Sequence, residues 1–202
     1  MGGAVVHRRV TNPPSSKLRL FLAVRPDLVA LEALESRLVS VRTGAVGERL
    51  RWTDPEKLHL TLRFFGSVGS EAVGPIGEVC RDACAHTPAF GLALAGAGAF
   101  PSPRRASVLW VGVTDGATEL RTLANRLDPK LDALGFTKEE REFTPHLTVA
   151  RSRQPLQLTA AIAELASVSI STRIDELLLV RSVLGRPSAR YEVIDRHPLV
   201  QL

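Results

Sequence analysis

Two short stretches carry the residue types best suited to chemistry: Leu58-His59-Leu60-Thr61-Leu62-Arg63 and Thr144-Pro145-His146-Leu147-Thr148-Val149-Ala150-Arg151. Each alternates polar and apolar residues, the pattern of a half-buried strand in which residues two apart share a face. His59 and Thr61 therefore point one way, Leu60 and Leu62 the other. His146 and Thr148, set against Leu147 and Val149, repeat the arrangement. A pair of imidazoles suits acid–base work near neutral pH, because one can take a proton while the other gives one. Threonine hydroxyls on the same face can donate to anionic oxygens, and Arg151, five after His146, can offset charge that grows on them. With 5 histidines and 13 threonines in 202 residues, His-x-Thr is expected about 0.3 times by chance. Two copies in matching apolar settings exceed that, whereas His7, His86 and His197 share none of the pattern.

The elements around these strands also repeat. Leu18–Val24 reads as a strand, and Leu28, Leu31, Leu34, Leu38 and Val41 fall at helical spacing after it. The first His strand follows a turn at Asp54-Pro55 and closes at Gly66. A helix is expected over 71–85, with Pro75 in its first turn, where a missing N–H costs little. A strand over 90–95 leads into the glycine-rich 96–101, which lacks the third glycine and the helix opening of a dinucleotide loop. Then the first order recurs: a strand over 108–113, a helix marked by Leu120, Leu123, Leu127, Leu131 and Leu134, and the second His strand. Leu22 precedes His59 by 37 residues and Trp110 precedes His146 by 36. A short helix over 158–166 and strands over 167–172, 177–183 and 191–194 complete the chain. This predicts an α+β fold of two similar lobes, each a mainly antiparallel sheet with flanking helices. The lobes are expected to be related by a pseudo-twofold axis, with a cleft between them to which each lends a His strand. Residues 1–17 read as a flexible tail and 18–202 as a single bilobal domain.

Composition narrows the function classes. With 45% hydrophobic and 23% charged residues the chain reads as an ordinary globular protein. No apolar run approaches the roughly 20 residues that cross a bilayer, and the N-terminus lacks the apolar core of a secretory signal. A monomeric cytoplasmic protein without a membrane partner is the expectation. Cys80 and Cys84, four apart, read as small buried hydrophobes on a helix. The net charge is +5, and 22 of the 26 basic residues are arginine, whose planar fork matches phosphate oxygens; an anionic partner such as RNA fits. The two histidines have no cysteine or carboxylate beside them to complete a zinc set, so no metal or other cofactor is expected.

Paired His-x-Thr motifs in two similar halves resemble the two-histidine phosphoesterase superfamily, and within it the LigT-like RNA 2′,3′-cyclic phosphodiesterases, formerly called 2′-5′ RNA ligases. The resemblance runs from about Leu18 to Leu202. It includes Leu20-Phe21-Leu22-Ala23-Val24, Arg51-Trp52, His59-Leu60-Thr61-Leu62-Arg63-Phe64-Phe65-Gly66, Gly98-Ala99-Phe100-Pro101, Val108–Val113 and Phe143–Arg151. Phe65 stands where the family more often has Leu. The resemblance implies metal-independent opening of 2′,3′-cyclic phosphate ends of RNA or nucleotides to 2′-phosphomonoesters. It also implies His59 as general acid and His146 as general base, with Thr61, Thr148 and Arg151 on the phosphoryl oxygens. The residues alone leave the two roles interchangeable. Two other readings use the same residues: a 2′-5′ phosphodiester hydrolase or ligase, and a non-catalytic module that only holds RNA phosphate. Arg63 is expected either toward phosphate or in solvent. Trp52, Phe64, Phe65 and Trp110 read as core, with base stacking as the alternative.

Overall fold

The computed structural model describes residues 16–137, 143–185 and 188–201. Residues 1–15 of the expected tail, Arg141 and Glu142 before the second His strand, and the last residue, Leu202, lie outside them. Lys17 opens the first strand, one residue before the expected Leu18, and the Ser16 carbonyl accepts from Ser70 N–H.

The strands are β1 (Lys17–Val24), β2 (Arg51–Trp52), β3 (Leu60–Gly69), β4 (Phe90–Phe100), β5 (Ala106–Val113), β6 (His146–Leu156), β7 (Ser169–Ile174), β8 (Glu176–Val183) and β9 (Arg190–Pro198). The helices are α1 (Leu28–Thr43), α2 (Val73–Ala85), α3 (Ala117–Ala133) and the short α4 (Thr159–Glu164). The strands form one antiparallel sheet in the order β7-β4-β5-β6-β3-β1-β8-β9, with β2 paired to β6. Two separate sheets were expected; instead two four-strand halves join at the His strands through a single pair, Leu60 with Leu147. Reading outward from that seam, each His strand is followed by the strand that precedes it in its own repeat: β3 by β1, and β6 by β5.

Strand ends differ from expectation where glycines bend the chain rather than end it. Gly66 takes a positive φ of 70° at a register shift against β1, so β3 runs on to Gly69. Gly96, at φ 63°, does the same in β4, which continues to Phe100. Gly98 is a different case, because a side chain there would run into the Trp110 ring lying across it from β5. This glycine-rich segment is thus a bulged strand, consistent with its lacking a dinucleotide-loop pattern.

The main core lies between the sheet and the helices. α1 buries Leu31, Leu34, Leu38 and Val41, while Leu28 is exposed at the helix start beside the N-cap Asp27, whose carboxylate accepts from Ala30 N–H. Pro75 does lie in the first turn of α2, and Cys80 and Cys84 are free, buried thiols. The helices also cross the seam. α1, which leaves β1, meets β7 and α4 of the other half, and Thr172 Oγ1 of β7 donates to the Asp27 carboxylate at 2.9 Å. α3, which leaves β5, meets α2 and β3.

The second crossing uses Arg63, and neither expected placement of that residue holds. It is 6% exposed and lies on the core side of β3. It donates to Asp128 at 2.8 Å and Asp132 at 3.0 Å on α3, and to the Phe136 carbonyl. Arg63→Met removes these bonds at a buried site and should lower the unfolding free energy by about 3 kcal/mol, read from urea denaturation. A loss below about 1 kcal/mol, the value of an exposed pair, would contradict a structural tie.

Candidate active site

His59, the residue before β3, and His146, the first residue of β6, flank the Leu60–Leu147 pair that joins the two strands. Alternation then turns Thr61 and Thr148 the same way. All five expected residues, His59, Thr61, His146, Thr148 and Arg151, line a single cavity of about 210 Å³. Its floor on the His59 side is a small apolar cluster of Phe21, Ala23, Leu178 and Val180, on the sheet face away from the main core.

Simple alternation would put Arg151, three residues past Thr148, on the wrong face. A bulge corrects this. Thr148 pairs with Trp110 and Ala150 with Leu109, so Val149 is an extra residue; Val149 and Ala150 both turn to the core, and Arg151 returns to the cavity. β3 is bulged at the same point. Thr61 pairs with Ala23 and Arg63 with Leu22, Leu62 is the extra residue, and Phe64 returns to the cavity. Arg63 is therefore the counterpart of Ala150 and Phe64 the counterpart of Arg151.

Both imidazoles are held alike. His59 Nδ1–H donates to the Lys57 carbonyl at 2.6 Å and His146 Nδ1–H to the Thr144 carbonyl at 2.7 Å, each two residues upstream. These bonds assign the proton to Nδ1 and leave Nε2 unprotonated in the neutral ring. Aromatic rings fix the ring planes: Phe21 stacks on His59 with centroids 4.8 Å apart, and Tyr191 meets it edge-on at 5.3 Å. His146 has Phe100 at 5.1 Å and Trp110 at 6.0 Å.

Burial is the main force holding His59 below the ordinary imidazole pKa of 6.5. The bond to the Lys57 carbonyl opposes it, and the charges on Arg151, Arg25 and His146 add to the lowering. His146 is also lowered, by burial first and Arg151 in addition, against its bond to the Thr144 carbonyl. Among the described residues the cavity lining contains Arg19, Lys57 and Arg151 but no Asp or Glu. Lys57 is held by Asp54 and by Ser188 at 2.8 Å, whereas Arg151 has no acidic partner among the described residues. The two threonine hydroxyls also have no hydrogen-bond partner there. Such a site offers cationic and hydroxyl donors to an anion, and two imidazoles share its lining. Among the described residues no three His, Cys, Asp or Glu side chains converge as a metal-binding set.

Six lining residues were missed from sequence: Arg19, Phe21, Thr53, Lys57, Ser182 and Tyr191. Arg19 and Phe21 were within reach, since they alternate on the strand preceding a His strand in the repeat. Ser182 and Tyr191 come from β8 and β9, distant in sequence, and carry no local signal. Of the aromatics, Trp52 is partly buried against the core with its indole N–H on the Gly47 carbonyl, and Phe65 packs on Phe136. Trp110 braces His146 without lining the cavity, and Phe64 does line it. Arg104 and Arg105 are exposed in the β4–β5 turn and are not part of the lining.

No helix among the described residues is long and apolar enough to cross a membrane. Residues 13–186 match the family model described as the 2′-5′ RNA ligase superfamily. An RNA 2′,3′-cyclic phosphodiesterase of Methanothermobacter thermautotrophicus is 38% identical over 172 residues, covering 83% of this chain and 91% of that protein. One from Aeropyrum pernix is 36% identical over 152 residues, covering 73% and 85%. The crystal structure of Escherichia coli LigT complexed with 3′-AMP superposes with a TM-score of 0.72 at 26% identity, covering 92% of this chain and all of that one. With a family match across most of its length and relatives this similar, the chain belongs to the 2′-5′ RNA ligase superfamily.

Proposed function

We propose that this protein hydrolyses 2′,3′-cyclic phosphate ends of RNA or nucleotides to 2′-phosphomonoesters, without a metal ion and as a monomer. The observation that carries this reading is the convergence on one cavity of two identically tethered imidazoles with two threonine hydroxyls and an arginine that are unpaired among the described residues, none of which brings a carboxylate to the lining. The names of the relatives support the substrate class. Water adds to phosphorus while the bond to the ribose 3′ oxygen breaks. The water proton passes to His146 Nε2, and the proton on His59 Nε2 passes to the departing oxygen. Thr61 and Thr148 donate to the non-bridging oxygens, and Arg151 opposes the charge that accumulates on them. Among the described residues the lining supplies no carboxylate or thiolate to complete a zinc set around the two imidazoles.

Turnover of an oligonucleotide with a 2′,3′-cyclic phosphate end should survive EDTA. It should fall about 10²–10⁴-fold in His59→Ala and in His146→Ala, and the double variant should lose little more than the worse single one. RNA binding without turnover by the unmodified chain would overturn the reading in favour of a phosphate-holding module.

The pH dependence follows from the sign of the shifts. Both free imidazoles are held below 6.5, so the protonated acid becomes scarce as pH rises through that range. The kcat/KM profile, which reports the free protein, should be a bell with its maximum on the acid side of pH 6.5. The kcat profile should peak at higher pH, because a bound phosphodiester anion favours imidazolium. Coincident optima, or profiles flat over about pH 5 to 9, would count against paired imidazoles.

Arg151 lowers both histidine pKa values through its charge. In Arg151→Ala both imidazole titrations, followed by NMR, should move upward while kcat falls about 10²–10³-fold. An unchanged titration of either ring would show that the guanidinium does not face the cavity.

A further inference from the structure

The two histidine strands touch only at Leu60 and Leu147 and then part, and β2 takes the place beside β6 that β3 leaves. Its two residues pair with β6 alone, Arg51 with Arg151 and Trp52 with Ala150. Thr53 N–H extends the ladder to the Val149 carbonyl at 2.9 Å. Alternation turns Arg51 and Thr53 to the cavity side and Trp52 to the other. Two observations agree with that placement: Thr53 and Arg151 both line the cavity, and Trp52 packs against the core. Trp52 also anchors the strand, with its indole N–H on the Gly47 carbonyl at 3.1 Å and the Arg42 guanidinium 4.9 Å from its ring centroid. Arg51 itself is exposed and stands just outside the lining. Among the described residues it has neither an acidic partner nor a hydrogen bond. Directly opposite residues of an antiparallel pair hold their Cβ atoms about 5 Å apart, and like charges there repel. Two guanidiniums are thus set side by side at the edge of the cavity, with no carboxylate of the described residues to neutralise them.

We infer that Arg51 forms a second anion subsite, which takes the phosphodiester linking the terminal nucleotide of the substrate to its 5′ neighbour. The inference rests on the cyclic phosphodiesterase reading and deepens it by naming the substrate class. The cleft takes the end of an RNA chain in preference to a free cyclic nucleotide. Arg151, inside the cavity, serves the reacting phosphoryl group; Arg51, across the strand pair and outside the lining, meets the next phosphate. A fork of guanidinium N–H groups matches two phosphate oxygens, and an entering phosphodiester offsets the repulsion between the paired arginines. The contact reads charge and not base, so it serves any sequence.

Turnover is compared for adenosine 2′,3′-cyclic monophosphate and for an adenylyl-adenosine dinucleotide ending in the same cyclic phosphate. In Arg51→Met the preference for the dinucleotide, taken as the ratio of kcat/KM values, should fall about 10- to 100-fold. The loss should lie in KM and not in kcat, as expected of a contact made equally before and during the reaction. Arg173→Met removes an exposed arginine of the edge strand β7; it should leave the ratio within about twofold and so controls for net charge. Calorimetry gives the same comparison without turnover. Its probes are adenosine 2′-monophosphate, the dinucleotide with a terminal 2′-phosphate, and that dinucleotide with a neutral methylphosphonate linkage. The charged dinucleotide should bind the full chain most tightly, and Arg51→Met should bring it level with the methylphosphonate. Equal losses for one-nucleotide and two-nucleotide probes in Arg51→Met overturn the inference. So does a full chain that fails to distinguish the charged linkage from the neutral one. A chain that binds in the expected pattern yet opens no cyclic phosphate refutes the catalytic reading and leaves the subsite standing.

Discussion

The geometry of the cleft depends on one contact, the pairing of Leu60 with Leu147 across the seam between the two halves of the sheet. Both leucines are fully buried. Because side chains alternate along a strand, burying these two turns the residues on either side, His59, Thr61, His146 and Thr148, onto the opposite face. Hydrophobic burial of two apolar residues thus orients four polar ones. A slip of register by one residue at this seam would bury the histidines and expose the leucines, which the core would resist strongly.

A single strand pair is a slender joint between two halves, and the helices reinforce it. α1 leaves the His59 half and is tied to the other by Asp27 and Thr172. α3 leaves the His146 half and is tied back by Asp128 and Asp132 to Arg63. The second tie places a guanidinium in the core, where ion pairs and a carbonyl offset its loss of water. It also explains why an arginine two residues past Thr61 takes no part in the cleft: the bulge at Leu62 sends it to the far face.

The bulges give the cleft its charge pattern. Each moves the third residue past the threonine into the cavity. One brings a cation to the His146 strand's side of the cavity and the other an aromatic ring to the His59 strand's side. Burial lowers the pKa of both imidazoles, the charge of Arg151 lowers them further, and no carboxylate among the described residues lines the cleft to oppose it.

Sequence alone determined the two His-x-Thr strands, the repeated strand–helix–strand order around them and the α+β class, because these are written in local periodicity, which needs no knowledge of the fold. The family resemblance rests on the same local signals. Tertiary structure alone decided the rest. Alternation could not place Arg151 or Arg63, since each lies past a bulge, and a bulge depends on how the neighbouring strand pairs. Gly66 and Gly96, read as breaks, proved to be such bulges for the same reason. Ser182 and Tyr191 reach the cavity from β8 and β9 only because β8 pairs with β1. The single sheet, where two were expected, follows from one long-range pair of leucines that no periodicity encodes.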